Sequence, residues 1–248
     1  MRHSITSPRL PIIALFAAFT FTASCSSDSG VSTADGTNDD TVIPSITTTD
    51  ADGSTSIDTD ALDEVLDTYI PSDDLSTEEM DGLIFMREEE KLAHDVYVAL
   101  YAEWGEQVFD NISQSEQTHT DAVLALLEKY EIPDPVGDNA EGVFVNTDLQ
   151  TLYDELVAEG SPPNALTNAL VVGALIEEID IIDIQKLVDE LDGNPDIAIV
   201  YENLMKGSRN HLRAFVKNLA SQGVDYQPSH LSQEAYDAII NGDIESKQ

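Results

Sequence analysis

The sequence predicts an all-α protein, and three observations support this class. From Ala61 onward, apolar residues recur with the period of about 3.6 residues that marks helices, not the two-residue alternation of strands. Residues that cap or end helices delimit four long segments and two short ones. The links between the long segments are short, long and short, which is typical of a four-helix bundle with one long crossover.

Each predicted helix has recognisable ends. Ser76 and Glu79 form a capping box that opens the first long helix, and Pro133 follows the end of the second. Pro163 and Pro195 suit the first turns of the third and fourth helices. The predicted helices are Thr77–Trp104, Phe109–Tyr130, a short amphipathic Asp148–Glu159, Pro163–Asp192, Asn194–Ser221 and a short final helix from Ser232 to Gly242.

The lengths of the links predict how the helices are connected. Short links make sequential helices antiparallel neighbours, whereas the long link after the second helix must cross the length of the bundle. The predicted fold is therefore a ferritin-like four-helix bundle with a long crossover between helices 2 and 3 and a short C-terminal helix.

The beginning of the chain resembles an export signal. Arg2 and Arg9 precede the apolar run 12–22, which at about 11 residues is too short to span a bilayer. These features predict a signal peptide over residues 1–24. Cys25, the lone cysteine, follows small residues as in bacterial lipoproteins, so we expect it to be acylated and to anchor the exported protein to the membrane of the bacterial envelope. Cleavage without acylation is the alternative.

The composition changes after the signal. Residues 25–60 are mostly Ser, Thr, Asp and Gly, and such a segment buries too little apolar surface to offset its ordering entropy. The sequence therefore predicts a flexible acidic tether over residues 25–60 and a helical domain over residues 61–248.

Charge and cysteine content exclude several classes of function. The chain has 48 acidic and 11 basic residues, a formal net charge of −37, which excludes nucleic-acid binding through a basic face and docking on anionic lipid through charge. One cysteine excludes internal disulfides and four-cysteine metal sites.

Ionisable residues lie on the apolar stripe of every long helix. Glu88 and Glu89 point away from the first stripe, and a basic face on the fourth helix, with Arg209 and Arg213, lies opposite its stripe. The residues on the stripes are Glu90 and His94 in the first helix, Glu116 and His119 in the second, Glu177 and Asp180 in the third, and His211 in the fourth.

This pattern indicates a metal centre. A buried carboxylate costs several kcal/mol unless it is paired or binds a metal, and the basic side chains lie mostly on outer faces. Glu116 and His119 have the Glu-x-x-His spacing that, with glutamates from facing helices, binds two iron or manganese ions in ferritin-like bundles. One ion, or none, is the alternative.

Four segments in order resemble a known family. They are MREEEKLAHDVY (Met86–Tyr97), SEQTH (Ser115–His119), GALIEEID (Gly173–Asp180) and GSRNHLRAF (Gly207–Phe215). Over about Leu75 to Ile240 the chain resembles a ferritin-like family, domain of unknown function 2202, a distant relative of rubrerythrin. The resemblance implies a four-helix fold with a dinuclear metal site.

The resemblance also implies roles for individual residues. By position, the metal ligands would be Glu90, Glu116, His119, Glu177 and His211. The fourth helix departs from the rubrerythrin-like pattern, because Ser208 stands where a second Glu-x-x-His would have its glutamate. Asp180 could replace that glutamate, and His94 could add a further ligand or support one.

Two classes of function remain open from the sequence. The first is a di-iron or di-manganese oxidoreductase of peroxidase or ferroxidase type, which reduces dioxygen or peroxide or oxidises ferrous iron. Tyr97 or Tyr201 would donate protons or electrons, and an external electron donor would be needed because the chain has no cysteine cluster. The second is a non-catalytic metal- or partner-binding module on the envelope. A homodimer is compatible with both.

Overall fold

The computed structural model describes residues 43–69 and 75–246. The predicted signal peptide, Cys25 and the predicted tether up to residue 42 lie outside these residues. The described residues from Pro44 onward belong to one compact unit. Its elements are β1 (Thr47–Thr49), β2 (Thr55–Ile57), α1 (Thr59–Thr68), α2 (Thr77–Trp104), α3 (Gln107–Lys129), α4 (Thr147–Gly160), α5 (Leu166–Glu190), α6 (Pro195–Ser221) and α7 (Gln233–Asn241).

The all-α class is confirmed, and four long helices form the body of the fold. α2 packs along α3, and α5 packs along α6, while further contacts join α2 to α5 and α3 to α6. The links within each pair are only a few residues long, so the paired helices run antiparallel. The long connection between the pairs contains α4, which packs against α2 and α5.

Local sequence signals determine the helix ends. Ser76 and Glu79 form the predicted capping box at the start of α2, and Gly105 ends that helix in the left-handed region at φ +66°. Asn146 and Ser232 accept backbone N–H groups at the starts of α4 and α7. The predicted ends of the long helices agree with the observed ones within three residues.

The folded unit begins near Pro44, and not at residue 61 as the composition suggested. Residues 47–57 form an antiparallel hairpin in which Thr47 pairs with Ile57, and both Ile46 and Thr47 are fully buried. Asp58 then caps α1 with its side chain. The hairpin packs on α3 and α6, so a segment with few apolar residues is buried against the surfaces of these two helices.

The bundle interior combines an aromatic cluster with a charged layer. The rings of Tyr97 and Phe215 lie 5.2 Å apart, and Phe109 packs 5.7 Å from Phe215. The Tyr97 hydroxyl reaches from this cluster to Glu177, which belongs to the charged layer. Within the part of the chain that the structure describes, no helix has the length and apolar character needed to cross a membrane.

Candidate metal centre

Five of the predicted ligands meet in the middle of the bundle. α2 contributes one, α3 two, and α5 and α6 one each, and every one of them is at most 2% exposed. They are Glu90, Glu116, His119, Glu177 and His211.

These residues form two triads that share one carboxylate. Glu90, Glu116 and His119 offer ligand atoms within 4.8 Å of one another, and so do Glu116, Glu177 and His211. Each triad therefore has one histidine and one glutamate of its own, and both triads share Glu116.

The distances show how Glu116 joins the triads. Its Oε2 lies 2.8 Å from His119 Nδ1, and its Oε1 lies 2.8 Å from His211 Nδ1. The same two nitrogens lie 3.4 Å from Glu90 Oε2 and from Glu177 Oε2, respectively. One oxygen of Glu116 thus serves each histidine, which is the arrangement expected of a carboxylate that bridges two cations.

Several buried atoms in the triads lack hydrogen-bond partners. Neither oxygen of Glu90 accepts a hydrogen bond from any residue that the structure describes, and neither Nδ1 of His119 and His211 makes one. At 2.8 Å the Nδ1 and oxygen atoms are close enough to bond, but their geometry is not that of an N–H donor facing its acceptor. Buried polar atoms are almost always satisfied, so these atoms fit a cation placed among them.

Basic side chains do not neutralise the triads. The two buried basic residues of α2 are engaged elsewhere, since Arg87 pairs with Asp134 at 3.1 Å and Lys91 pairs with Asp95. Among the residues that the structure describes, the three glutamates of the triads therefore pair only with the two histidines, so the ligand set can accept added positive charge.

The pKa values reflect this excess of acid. Although burial disfavours its charge, the imidazoles of His211 and His119 hold the pKa of Glu116 well below its usual range. Burial opposes charge on His211 too, but Glu116 and Glu177 raise its pKa to about 9. The central carboxylate is thus ionised, and without metal the histidines carry protons at neutral pH.

The outer glutamates behave differently from Glu116. Burial raises the pKa of Glu90 to about 7 despite the neighbouring His119. Burial and the charge of Glu116 raise the pKa of Glu177 to about 7 as well. Protons therefore occupy the metal-free cluster near neutrality, and divalent cations would compete with them for the same atoms.

Asp180 and Ser208 lie beside the triads. Ser208 donates a short hydrogen bond to Asp180 Oδ2, and burial followed by the charge of Glu90 raises the pKa of Asp180 well above its ordinary value. Asp180 belongs to neither triad. Ser208, which stands where a fourth-helix glutamate was expected, therefore donates its hydrogen bond to Asp180, the residue predicted to replace that glutamate.

His94 and the two tyrosines take different places. The structure positions His94 outside both triads, where its Nδ1 lies 2.8 Å from Asp95 and its side chain is 24% exposed. Tyr97 donates to Glu177 Oε1 at 2.5 Å and so contacts a triad. Tyr201 is buried, and its hydroxyl has no hydrogen-bond partner among the described residues.

Acidic residues next to the ligands are buried for other reasons. Glu88 and Glu89, which point away from the stripe, are nevertheless only 2% and 6% exposed. Glu88 accepts hydrogen bonds from the backbone of Val145 and Asn146 in the crossover. Burial, followed by the charge of Asp183, raises the pKa of Glu89 well above its ordinary value. The crossover and α5 cover these faces, which helical periodicity does not reveal.

Sequence reasoning missed Thr55. Its Oγ1 lies 3.2 Å from His119 Nε2 and 2.9 Å from His211 Nε2, so one hydroxyl touches both histidines. The available signal was Asp52-Gly53, a hairpin-type dipeptide between two short β-branched runs. The acidic, serine-rich composition around it favoured a tether instead.

Comparisons with known proteins agree with the architecture. A family model described as "Uncharacterized protein domain (DUF2202)" matches residues 79–243. The chain is 53% identical over 176 residues to "Uncharacterized protein MJ0754" of Methanocaldococcus jannaschii, covering 71% of this chain and 94% of that protein. A crystal structure of hypothetical protein MJ0754 from Methanococcus jannaschii DSM 2661 matches with a TM-score of 0.68 over 71% of this chain and 99% of that one.

Proposed function

The chain belongs to the DUF2202 family, and from the geometry of its buried cluster we propose that it binds two divalent metal ions that share Glu116. One observation carries this proposal. Two triads of ligand atoms meet at a single carboxylate, while Glu90 and both Nδ1 atoms lack hydrogen-bond partners among the described residues.

The donor set favours iron or manganese. Carboxylate oxygens and imidazole nitrogens suit hard and borderline divalent metals, whereas softer ions prefer thiolates. Three glutamates and two histidines, in two groups with a shared acid, match the ligand scheme of metal-binding four-helix bundles except for one glutamate, whose place Ser208 takes. We expect His119 with Glu90 to hold one ion and His211 with Glu177 to hold the other.

The chain's own residues would control protons and water at the centre. Bound iron would supply electrons to dioxygen or peroxide, which would be reduced while ferrous iron is oxidised. Tyr97 holds a proton against Glu177 Oε1, and β2 covers the Nε2 side of both histidines through Thr55. Repeated turnover in a peroxidase-type reaction would need an external electron donor.

Metal content tests the proposal directly. After anaerobic loading with Fe(II) and removal of excess metal, we expect about two ions per chain, as in two-metal bundles. Glu116→Gln removes the shared ligand and should abolish binding of both ions. Glu90→Gln and Glu177→Gln should each lose about one ion, because each changes one triad. The measurement is elemental analysis against protein concentration.

Glu88→Gln is the matched control for these variants. Glu88 is buried on the same helix as Glu90, but its oxygens bind the backbone of Val145 and Asn146. This variant should keep the metal content of the unmodified chain. Equal metal loss in the control and in Glu116→Gln, or no metal in the unmodified chain, would contradict the proposal.

The closure of the site favours a second candidate, a non-catalytic metal site. All five ligands are almost wholly buried, which restricts the access of reactants, and a bound metal can stabilise the fold without catalysing a reaction. Adding dioxygen or peroxide to the iron-loaded protein separates the two. A spectral change with reoxidation of iron supports the oxidoreductase, and bound iron that stays ferrous supports the structural site.

The cellular location is a further part of the proposal. It rests on the resemblance of residues 1–25 to a lipoprotein signal. An acylated Cys25 would place the metal-binding domain on the outer side of the membrane, where external iron, peroxide and reductants are its accessible partners.

A further inference from the structure

The hairpin formed by β1 and β2 closes one side of the metal centre. It lies across α3 and α6, the two helices that carry the histidines. On the α3 side, Thr55 N donates to Ser115 Oγ at 2.8 Å and Ile57 N donates to Thr118 Oγ1 at 3.1 Å. The hairpin precedes residue 79, where the family match begins.

On the α6 side, a buried amide holds the other strand. Asn203 Oδ1 accepts from Ile46 N at 3.0 Å and from Thr47 Oγ1 at 3.1 Å. Gly53, at φ +99°, brings the turn against α6, where a Cβ would lie 2.9 Å from Asn210 O. The hairpin is therefore fixed to both helices, and its side chains have defined positions.

One of those side chains reaches both histidines. Thr55 is 6% exposed, and its Oγ1 lies within hydrogen-bond distance of Nε2 of His119 and Nε2 of His211. The two imidazoles are stacked, with ring centroids 5.4 Å apart and an interplanar angle of 20°. Their Nδ1 atoms face the glutamates, so Thr55 lies on the side of the rings opposite the proposed metals.

We propose that Thr55 is a positioning residue that holds both ligand histidines with Nε2 protonated and Nδ1 free to bind metal. A neutral imidazole has one N–H, and the group that binds this N–H determines which nitrogen can be a ligand. A hydroxyl oxygen has two acceptor lone pairs, so one threonine can serve two N–H donors. The inference rests on the proposed metal-binding function.

Close packing around Thr55 supports a direct role for its hydroxyl. Gly207 lies beside it on α6, where a Cβ would be 3.1 Å from Thr55 Oγ1 and 2.5 Å from His119 Cε1. The glycine allows the helix, the imidazole and the hairpin to meet. Partners of this kind orient a ligand histidine, and their loss typically weakens metal binding by about 10- to 100-fold.

The test compares three threonine variants in the full chain with Zn(II), which is diamagnetic and permits NMR. Thr55→Val keeps the shape and removes the hydroxyl, and we expect a Zn(II) dissociation constant about 10- to 100-fold higher. Thr55→Ser restores the hydroxyl and should restore affinity. Thr47→Val is the matched control, because Thr47 is a buried threonine of the same hairpin that binds Asn203 instead of a histidine. The hydrogen bond from Ile46 N to Asn203 Oδ1 remains in this variant and still holds the strand on α6.

The histidine tautomers give a readout that general destabilisation does not change. Long-range ¹⁵N–¹H spectra of the zinc-loaded protein should show both rings with Nε2–H and metal at Nδ1, and this pattern should weaken in Thr55→Val but persist in Thr47→Val. Metal on Nε2 in the unmodified chain would overturn the inference even if Thr55→Val failed to fold. Unchanged affinity and spectra in Thr55→Val would also overturn it.

Failure of the inference and failure of the proposed function give different results. An unmodified chain that binds no Zn(II), Fe(II) or Mn(II) contradicts the metal centre itself. A chain that binds metal equally well with valine at position 55 keeps the metal centre and removes only the positioning role of Thr55.

Discussion

Two buried glutamates on neighbouring helices have opposite surroundings. Glu178 on α5 is fully buried and accepts hydrogen bonds from Tyr226 Oη and from the backbone N–H groups of Ser229, His230 and Leu231. Glu90 on α2 is 1% exposed, yet neither of its oxygens accepts a hydrogen bond within the described residues. The two carboxylates are equally buried, but one accepts several hydrogen bonds and the other accepts none within the described residues.

This difference separates a structural acid from a candidate ligand. The donors around Glu178 replace the water that its charge loses, so the chain alone stabilises it. Within the described residues, Glu90 has no such donors. Burial raises its pKa to about 7, so near neutral pH a proton neutralises its buried carboxylate when metal is absent. For Glu90, burial beside His119 and without hydrogen-bond partners among the described residues, and not burial alone, is therefore the sign of a metal-binding acid.

The largest expected effect is the loss of stability when Glu178, the structural acid, is replaced. Glu178→Ala leaves the buried Tyr226 hydroxyl and three partly buried backbone N–H groups without their acceptor, and a buried donor left unsatisfied costs about 1–3 kcal/mol. We expect the free energy of unfolding to fall by about 3 kcal/mol while metal content per folded chain stays unchanged. Urea unfolding and elemental analysis measure the two quantities. A mild loss of stability, or a loss of metal, would show that Glu178 is not a purely structural acid.

The next effect is a pH dependence that arises in the triads. In the folded metal-free chain, Glu90 and Glu177 keep protons up to a pKa of about 7 against an ordinary 4.5, and His211 keeps one up to about 9 against 6.5. The folded state therefore binds more protons than the unfolded state, so stability falls as pH rises from about 4.5 to about 9. The slope is on the order of 1 kcal/mol per pH unit for each proton.

Metal should reverse the sign of this dependence. Metal ligands must lose their protons, so at saturating Zn(II) the unfolded chain binds more protons than the folded one. Stability should then rise with pH up to about 7 and level off once the unfolded histidines, with an ordinary pKa of 6.5, have lost their protons. Urea unfolding at several pH values, with and without Zn(II), makes the comparison. The same slope in both forms would place the titrating groups outside the metal centre.

The smallest expected effect is a gain in stability. Glu90→Met replaces a buried carboxyl that accepts no hydrogen bond within the described residues with an apolar side chain of similar length, which removes the cost of burying an unsatisfied polar group. We expect the metal-free chain to gain about 1 kcal/mol while binding one metal ion fewer. Thermal unfolding of the metal-free protein tests this, and a large loss of stability would mean that Glu90 has a structural role after all.

The sequence predicted the helical body well because the relevant signals are local. The capping box at Ser76 and Glu79, the glycine at position 105 and the proline at position 195 act within one turn of the helices they delimit. Helical periodicity also placed Glu116 and His119 on one face, three residues apart, where both now meet in the same triad.

The sequence did not predict the beginning of the domain. Residues 44–60 have a composition typical of a linker, but Ile46, Thr47 and Thr55 are buried because the surfaces of α3 and α6 cover them. A segment that supplies little apolar area of its own gains stability from a groove built by distant residues. The local composition of residues 44–60 carries no information about that distant surface.

By itself, the sequence determined that the five residues of the triads lie on the inner faces of the four helices, since rotation around a helix axis depends only on spacing along the chain. The tertiary structure decided which of them remain unsatisfied. Glu178 accepts hydrogen bonds from backbone N–H groups near residue 230, and Asp180 accepts one from Ser208. Both histidines lie within hydrogen-bond distance of Thr55. Those partners come from segments far apart in sequence, and only the packing of the bundle brings them within hydrogen-bond distance.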